Sequence, residues 1–199
     1  MVGSVRRHAR DISPKDVQRF LRWVSVEGRY QKRNRVIASL SFFAGLRASE
    51  IAHARWRMVL DAEGKVGEVL RLENEAAKKL SGRVIPLKAE VREALSAYLV
   101  HLSPPPSRED CILRSERGGD MKAQSIVNWF REIYADLGIS GASSHSGRRH
   151  FVTMAARRIS EAGGSLRDVQ DLAGHRALST TQLYIAKSTD AQRRVIDLI

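Results

Sequence analysis

Apolar side chains recur every three or four positions along most of the chain, which predicts a protein built mainly of α-helices. The first helix is predicted to begin at Ser13-Pro14, because serine is a favoured N-cap and proline a favoured first helical residue. The second is predicted over about 34–44; Gly45 ends it and a short helix starts at Arg47. Further helices are predicted at 89–102, 122–137, 146–160, 166–173 and 180–185, with a short tail helix from 189 to the end.

Residues 56–87 have a different pattern, with two short apolar runs that contain β-branched residues. Strands are predicted at 66–72 and 83–87, with Ser81-Gly82 as turn residues in the segment between them. The same segment carries two adjacent lysines, Lys78 and Lys79. The expected fold class is therefore mainly α with a small antiparallel β-sheet or hairpin.

Positive charge is concentrated at the two ends of the chain, which has a formal net charge of +12. Residues 1–60 hold 13 Lys and Arg against 4 Asp and Glu, residues 61–139 hold 12 against 13, and residues 140–199 hold 9 against 5. A polyanion such as double-stranded DNA is the natural partner of such a surface, because each neutralised phosphate releases condensed counterions. General solubility is the alternative explanation.

Other bulk features narrow the class of protein. No run of about 18 apolar residues occurs, so no membrane-spanning helix is expected. The single cysteine, Cys111, cannot form an internal disulfide, which fits a reducing cytoplasm, and we expect it to be a small buried apolar residue. Residues 1–10 are expected to form a basic N-terminal arm, and residues 11–199 one domain.

A set of side chains suited to phosphodiester chemistry follows one order along the chain: Arg47, Lys78, His145, Arg148, His175 and Tyr184. A guanidinium stays charged and its planar fork matches two phosphate oxygens, so two arginines could hold one phosphate and stabilise its transition state. A phenol is a candidate nucleophile when positive charge or a neighbouring base activates it. Histidines and a lysine could move protons, the lysine as general acid toward the leaving oxygen.

Each of these residues also has an ordinary structural explanation. Lysines 78 and 79 would usually be a solvated turn, and Tyr184, between Leu183 and Ile185, would usually be core or half-exposed packing. Glu50 is interpreted as a structural carboxylate that holds a nearby base. The sequence has no Asp/Glu cluster at metal-ligand spacing near these residues and no Cys/His metal pattern. The expected chemistry therefore uses no metal and no other cofactor.

Four segments resemble the conserved motifs of the tyrosine recombinase (phage integrase) family. AGLRASEI at 44–51, HSGRRHFVT at 145–153 and LAGHRALSTTQLYI at 172–185 resemble its three active-site boxes, and KKLSGRVIPL at 78–87 resembles its β-hairpin. The family lysine lies eight residues before a proline, which selects Lys78 over Lys79. The resemblance covers roughly residues 10–199.

This resemblance implies a tyrosine-recombinase-like catalytic domain over 11–199, which cuts one DNA strand through a 3′-phosphotyrosyl link with release of a 5′-hydroxyl. It implies a homo-tetramer on paired DNA sites, with a monomer as the alternative in the absence of DNA, in a cytoplasmic, nucleoid-associated protein. The apolar residues near the end of the chain could dock on a neighbouring protomer or close this domain's own core. Integration, excision and inversion share the chemistry and stay open.

Two departures from the family pattern bear on function. Arg149 stands where many relatives have a histidine. The N-terminal DNA-binding domain of most relatives is expected to be absent, so that the chain is either a naturally short member or a catalytic fragment. The alternatives are a relaxing enzyme of the type IB topoisomerase kind and a non-catalytic DNA-binding accessory protein.

Overall fold

The structure is a computed structural model that describes residues 12–74, 82–184 and 196–197 of the 199-residue chain. Three predictions fall outside the described residues: the basic arm at 1–10, the lysine pair at 78–79, and nearly all of the tail helix. From the tail, Ile196 is described and is 70% exposed. No helix in the described ranges has the length and apolarity needed to cross a membrane.

Eight helices and two strands account for most of the described residues, with a short 3-10 helix at Trp56–Met58. In chain order these elements are α1 Pro14–Val26, α2 Gln31–Phe42, α3 Ala48–His53, β1 Val69–Leu72, β2 Arg83–Pro86, α4 Ala89–His101, α5 Ala123–Asp136, α6 Ser146–Arg158, α7 Leu166–Ala173 and α8 Leu178–Gln182.

Helix α1 begins as its sequence predicts. The Ser13 hydroxyl accepts the backbone N–H of Asp16, and Pro14 occupies the first turn. Helix α2 begins earlier than the predicted 34, at Gln31. Its N-cap is Tyr30 in the left-handed conformation (φ 61°), a start that local sequence signals do not indicate.

The two strands form one antiparallel sheet, in which Val69 pairs with Pro86 and Leu72 with Arg83. The first strand is shorter than the predicted 66–72, because Val66 pairs instead with Leu60 in an isolated bridge. Within the described residues the fold is therefore mainly α with a two-stranded antiparallel sheet, and the predicted fold class is confirmed.

A large apolar core surrounds α2, whose side chains are buried along most of its length. Phe20 of α1 is fully buried in this core, with its ring centroid 5.3 Å from that of Phe42, 5.7 Å from that of Phe130 and 5.0 Å from that of Tyr134. A separate, smaller cluster forms around Val152, Val169 and Ala173. The turn after α2 packs closely on α6, because a β-carbon on Gly45 would overlap an atom of the Phe151 ring.

Candidate active site

The candidate site is organised around the carboxylate of Glu50, which is fully buried in α3. Its oxygens accept the backbone N–H of Arg47 at 2.9 Å and the Nη1 of Arg47 at 2.7 Å. Both terminal nitrogens of Arg83 also donate to it, each at 3.1 Å. The Nη1 of Arg148 lies 3.9 Å from Oε2. One carboxylate therefore holds three guanidiniums from three separate elements.

Charge and hydrogen bonding keep Glu50 ionised. Burial acts to raise its pKa, but the hydrogen bonds and positive charges of Arg83 and Arg47 outweigh burial and hold the pKa below its usual value. The interpretation of Glu50 as a structural carboxylate agrees with this arrangement. Its partners include Arg83, which the sequence reasoning did not single out.

Arg47 is the N-cap of α3, directly after the turn that ends α2. Gly45 makes that turn with a φ of 65°, where a β-carbon would overlap the ring of Phe151. The guanidinium of Arg47 bonds Glu50 on one side, yet its side chain remains 23% exposed. Glu50 therefore fixes one side of the Arg47 guanidinium, while part of the side chain stays accessible to solvent.

Arg148 enters the site from the first turn of α6 and is held by two backbone carbonyls. Its Nη1 donates to Gly45 O at 2.7 Å and its Nη2 to Ala173 O at 2.6 Å. Burial, with a smaller contribution from the charge of Arg47, lowers its pKa to about 9, although Glu50 acts in the opposite direction. Arg148 thus joins the turn after α2 to the end of α7.

His175 follows the left-handed Gly174 that ends α7. Its Nδ1 is hydrogen-bonded to the Thr181 hydroxyl at 2.9 Å. Burial and then the positive charges of Arg148, Arg47 and Arg83 lower its pKa to about 4. The imidazole is therefore neutral at neutral pH.

Tyr184 lies on the turn after α8, where its N–H donates to Thr181 O at 3.0 Å. Its ring stacks on the His175 ring, with centroids 5.6 Å apart and an angle of 21° between the planes. The Arg149 guanidinium lies 5.3 Å from the ring centroid. The side chain is half-buried against the smaller apolar cluster.

The structure thus brings together four of the six residues singled out in the sequence: Arg47, Arg148, His175 and Tyr184. His145 is the N-cap of α6 and its side chain is exposed, whereas Arg148 three residues later is buried, although the spacing alone suggested a shared face. Lys78 lies outside the described residues. Neither placement tests the role assigned to the residue.

Sequence reasoning missed Arg83, the first residue of β2. Its Nε donates to Leu172 O at 2.9 Å, and a β-carbon on Gly174 would lie 2.9 Å from its Nη1. Its side chain is 6% exposed. The available signal was its place at the start of the predicted second strand, directly after the predicted turn residues, but a single arginine in a segment of balanced charge does not indicate burial.

The charges of the site do not balance. Among the residues that the structure describes, three guanidiniums face one carboxylate, which leaves two positive charges in excess in a largely buried cluster. Burial is the largest cause of the lowered pKa values of Arg148 and His175, and the neighbouring guanidiniums lower both values further. The arrangement can therefore bind an anion beside a phenol.

Comparisons with known proteins agree with this geometry. The family model described as "Phage integrase family" matches residues 10–191. Among curated relatives, tyrosine recombinase XerD of Corynebacterium glutamicum is 28% identical over 166 residues, which cover 82% of this chain and 51% of that protein. Tyrosine recombinase XerC of Brucella melitensis biotype 1 is 30% identical over 171 residues, 83% of this chain and 50% of that protein.

A solved structure shows the same fold. The Tn1549 transposon integrase in complex with a circular intermediate DNA aligns with a TM-score of 0.78 at 19% identity, over 100% of this chain and 68% of that one. The chain spans about half the length of the curated relatives it matches. With a family model that covers nearly all of it, and with the fold of a tyrosine recombinase catalytic domain, the chain belongs to the phage integrase family of tyrosine recombinases.

Proposed function

We propose that this chain is the catalytic domain of a site-specific DNA recombinase that cuts and rejoins DNA strands through Tyr184. The observation that carries the proposal is the position of the Tyr184 ring, stacked on His175 beside a buried cluster with excess positive charge. A phosphodiester is an anion that the arginine cluster could bind while the phenol attacks its phosphorus atom.

The phosphate would occupy the accessible side of the arginine cluster. Arg148 donates two of its five N–H groups to Gly45 O and Ala173 O, and these bonds fix the orientation of the guanidinium. The other N–H groups could then donate to a ligand. Arg47 offers its exposed edge. Because protein contacts already hold both guanidiniums, they need little reorganisation as charge develops on the phosphate oxygens.

His175 would act as a hydrogen-bond donor to the phosphate. When the Thr181 hydroxyl donates to Nδ1, the neutral ring carries its proton on Nε2, which can then donate to a phosphate oxygen. A pKa of about 4 makes this imidazole a weak base. We therefore assign uptake of the phenol proton to the exposed His145.

The reaction would proceed by attack of the Tyr184 oxygen on phosphorus. A 3′-phosphotyrosyl bond forms as the bond to the 5′ oxygen breaks, and Lys78 supplies the proton that leaves with the 5′-hydroxyl. Attack by the 5′-hydroxyl of a partner strand then restores the diester and the phenol. The energy of the broken bond stays in the phosphotyrosyl link, so the cycle consumes no cofactor.

Double-stranded DNA is the proposed substrate, in keeping with the basic ends of the chain and with the family. We propose that four copies act on paired sites and that the protein works at the nucleoid in the cytoplasm. The choice among integration, excision and inversion then depends on how the two DNA sites are arranged, since the strand chemistry is common to all three.

Covalent trapping tests the assignment of Tyr184. The protein is incubated with a pool of nicked duplexes randomised around the break, so that the cleaved end diffuses away and the adduct persists. Denaturing gels should show a protein–DNA adduct, and digestion with trypsin should place the DNA on the peptide 177–187. Tyr184→Phe should give no adduct, whereas Tyr134→Phe, which changes a buried core hydroxyl, should give the normal amount.

Three results would overturn the proposal. An equal adduct yield from Tyr184→Phe would remove this residue as the nucleophile. Binding of duplexes without any adduct would favour the DNA-binding accessory protein. Relaxation of supercoiled plasmid at catalytic protein concentration, independent of sequence, would instead favour the topoisomerase alternative.

A further inference from the structure

A cavity of about 560 Å³ lies at the N-terminal end of α2, the end opposite to the turn that leads to Arg47. Twelve helical residues separate the two ends by roughly 18 Å. The cavity is therefore distinct from the candidate active site. Its walls include Tyr30, Lys32, Arg33, Tyr98, His101 and Arg114.

Arg33 is a buried cation in the wall of this cavity. It is 8% exposed, and within the described part of the chain its buried Nε has no hydrogen-bond partner. Its one side-chain hydrogen bond among the described residues is a long one, 3.5 Å from Nη2 to Asn34 Oδ1. Burial lowers its pKa, with Tyr98 and then Glu116 acting in the opposite direction. A buried guanidinium with no ion pair to any described residue indicates a missing anionic partner.

The helix end adds a second positive feature. The first turn of α2, Gln31-Lys32-Arg33, has no acidic residue, and its N-cap makes no side-chain hydrogen bond. Cations at a helix N-terminus are unfavourable, and an anion there is stabilised by the backbone N–H groups and the helix dipole. The cavity therefore offers a helix N-terminus, Lys32 and Arg33 to the same ligand.

Aromatic rings lie beside these donors. The Tyr30 ring is 39% exposed, and the guanidinium of Arg33 lies 4.5 Å from its centroid. Tyr98 forms a buried part of the wall. A ligand that combines a phosphate with a flat ring would contact both kinds of group.

We propose that this cavity binds a nucleotide, with its phosphate on Arg33, Lys32 and the first N–H groups of α2, and its base against Tyr30. The volume is in the range of small-molecule sites. A neighbouring cavity of about 520 Å³ also contains Arg33, but its walls add the carboxylates of Asp120 and Glu132. Glu116 borders both cavities. We therefore expect the phosphate in the 560 Å³ cavity, whose walls carry fewer carboxylates.

Chemical-shift mapping on the wild-type chain tests the site directly, with AMP, adenosine and inorganic phosphate as the probes. AMP should shift the backbone amides of Gln31, Arg33 and His101 in a saturable manner. Adenosine and phosphate should each bind there at least about 10-fold more weakly, because each lacks one of the two contacts. Equal shifts from adenosine, or shifts by AMP confined to Arg148 and His175, would overturn the proposal.

Variants test which side chains are responsible. Arg33→Gln should weaken AMP binding by about 10- to 100-fold, the usual consequence of removing a charged hydrogen bond. Lys32→Gln changes an exposed side chain, so it tests the site without disturbing the core. Arg131→Gln, an exposed cation on α5, is the matched control and should bind AMP normally. Normal binding by both Arg33→Gln and Lys32→Gln would refute the site, whatever the outcome of the Tyr184 experiment.

Discussion

Arg83 binds Glu50 through both of its terminal nitrogens, with contacts of 3.1 Å each. This pair joins the β-hairpin to α3, and the bond from Arg83 Nε to Leu172 O extends the connection to α7. The side chains that surround the proposed phosphate therefore depend on a residue outside the three sequence boxes. Arg83 is a positioning residue, since it acts through Glu50 and the backbone before His175.

Removing the charge of Glu50 should destabilise the fold. In Glu50→Gln three guanidiniums lose their common counter-charge while they stay largely buried, and the free energy of unfolding should fall by about 3 kcal/mol. Urea unfolding measures the change. Glu90→Gln is the control, because the Lys88–Glu90 pair is solvent-exposed and should contribute less than about 1 kcal/mol. Equal losses in the two variants would contradict the central role of Glu50.

Arg83 should act on the site through both its charge and its shape, and two substitutions separate them. Arg83→Met removes one of the positive charges that lower the pKa of His175, so that pKa should rise, whereas Arg83→Lys should keep it low. NMR titration of the imidazole measures it. Both variants lose the bidentate contact, so DNA cleavage should slow by about 10- to 100-fold in each.

Arg71→Met on β1 is the matched control, since this exposed arginine belongs to the same sheet. It should leave both the His175 pKa and the cleavage rate unchanged. Cleavage at the wild-type rate in Arg83→Lys would show that charge alone accounts for the residue.

Stability should fall as the pH drops from about 6.5 to about 4. The folded-state pKa of His175, about 4, lies below its unfolded value of about 6.5, so the unfolded chain binds more protons in this window. The contribution of His175 is therefore fully present above about pH 6.5 and is lost toward pH 4, up to about 3 kcal/mol.

Urea unfolding at pH 7 and pH 4.5 measures this slope. His175→Gln should flatten it, although the carboxylates with lowered pKa values, Glu50 among them, still contribute at lower pH. His101→Gln, an exposed histidine at the end of α4, should keep the full slope. An unchanged slope in His175→Gln would contradict the neutral imidazole.

Gly147 should not tolerate a side chain. A β-carbon at this position in α6 would overlap Ser41 Oγ and lie 3.1 Å from its Cβ, so Gly147→Ala should destabilise the fold by about 1–3 kcal/mol. Gly119→Ala is the control because its β-carbon would meet open space. Adding Ser41→Ala to Gly147→Ala should restore part of the loss in thermal unfolding, and a purely additive double variant would contradict the contact.

The sequence predicted elements well where the signals were local. The cap at Ser13-Pro14 and the periodic apolar face of α1 act within a few residues, and the structure has both. The left-handed Tyr30 at the start of α2 was not predictable, because the tertiary packing of the helix decides it. Strand β1 was overestimated because Val66 pairs outside the hairpin.

For the candidate active site, the sequence predicted which residue types take part and their order along the chain, but not which of their side chains are buried. The motifs pointed to Arg47, Arg148, His175 and Tyr184, which the fold brings into one region. The bidentate contact of Arg83 joins residues 33 positions apart, and no local pattern encodes such a pairing. The different exposure of His145 and Arg148 depends on carbonyls from two other elements, which spacing along one helix cannot reveal.

The small cluster beneath Tyr184 contains three buried apolar side chains in the described residues, and the large core lies elsewhere. Little apolar area is therefore given up when α8 and its turn detach, so this corner should open far more often than the whole protein unfolds. Amide protons of 178–184 should exchange with solvent by such local openings, whereas those in the middle of α2 should exchange only through global unfolding. From such a weakly anchored corner, the proposed nucleophile could be withdrawn from a DNA strand without disturbing the helices that carry the proposed phosphate site.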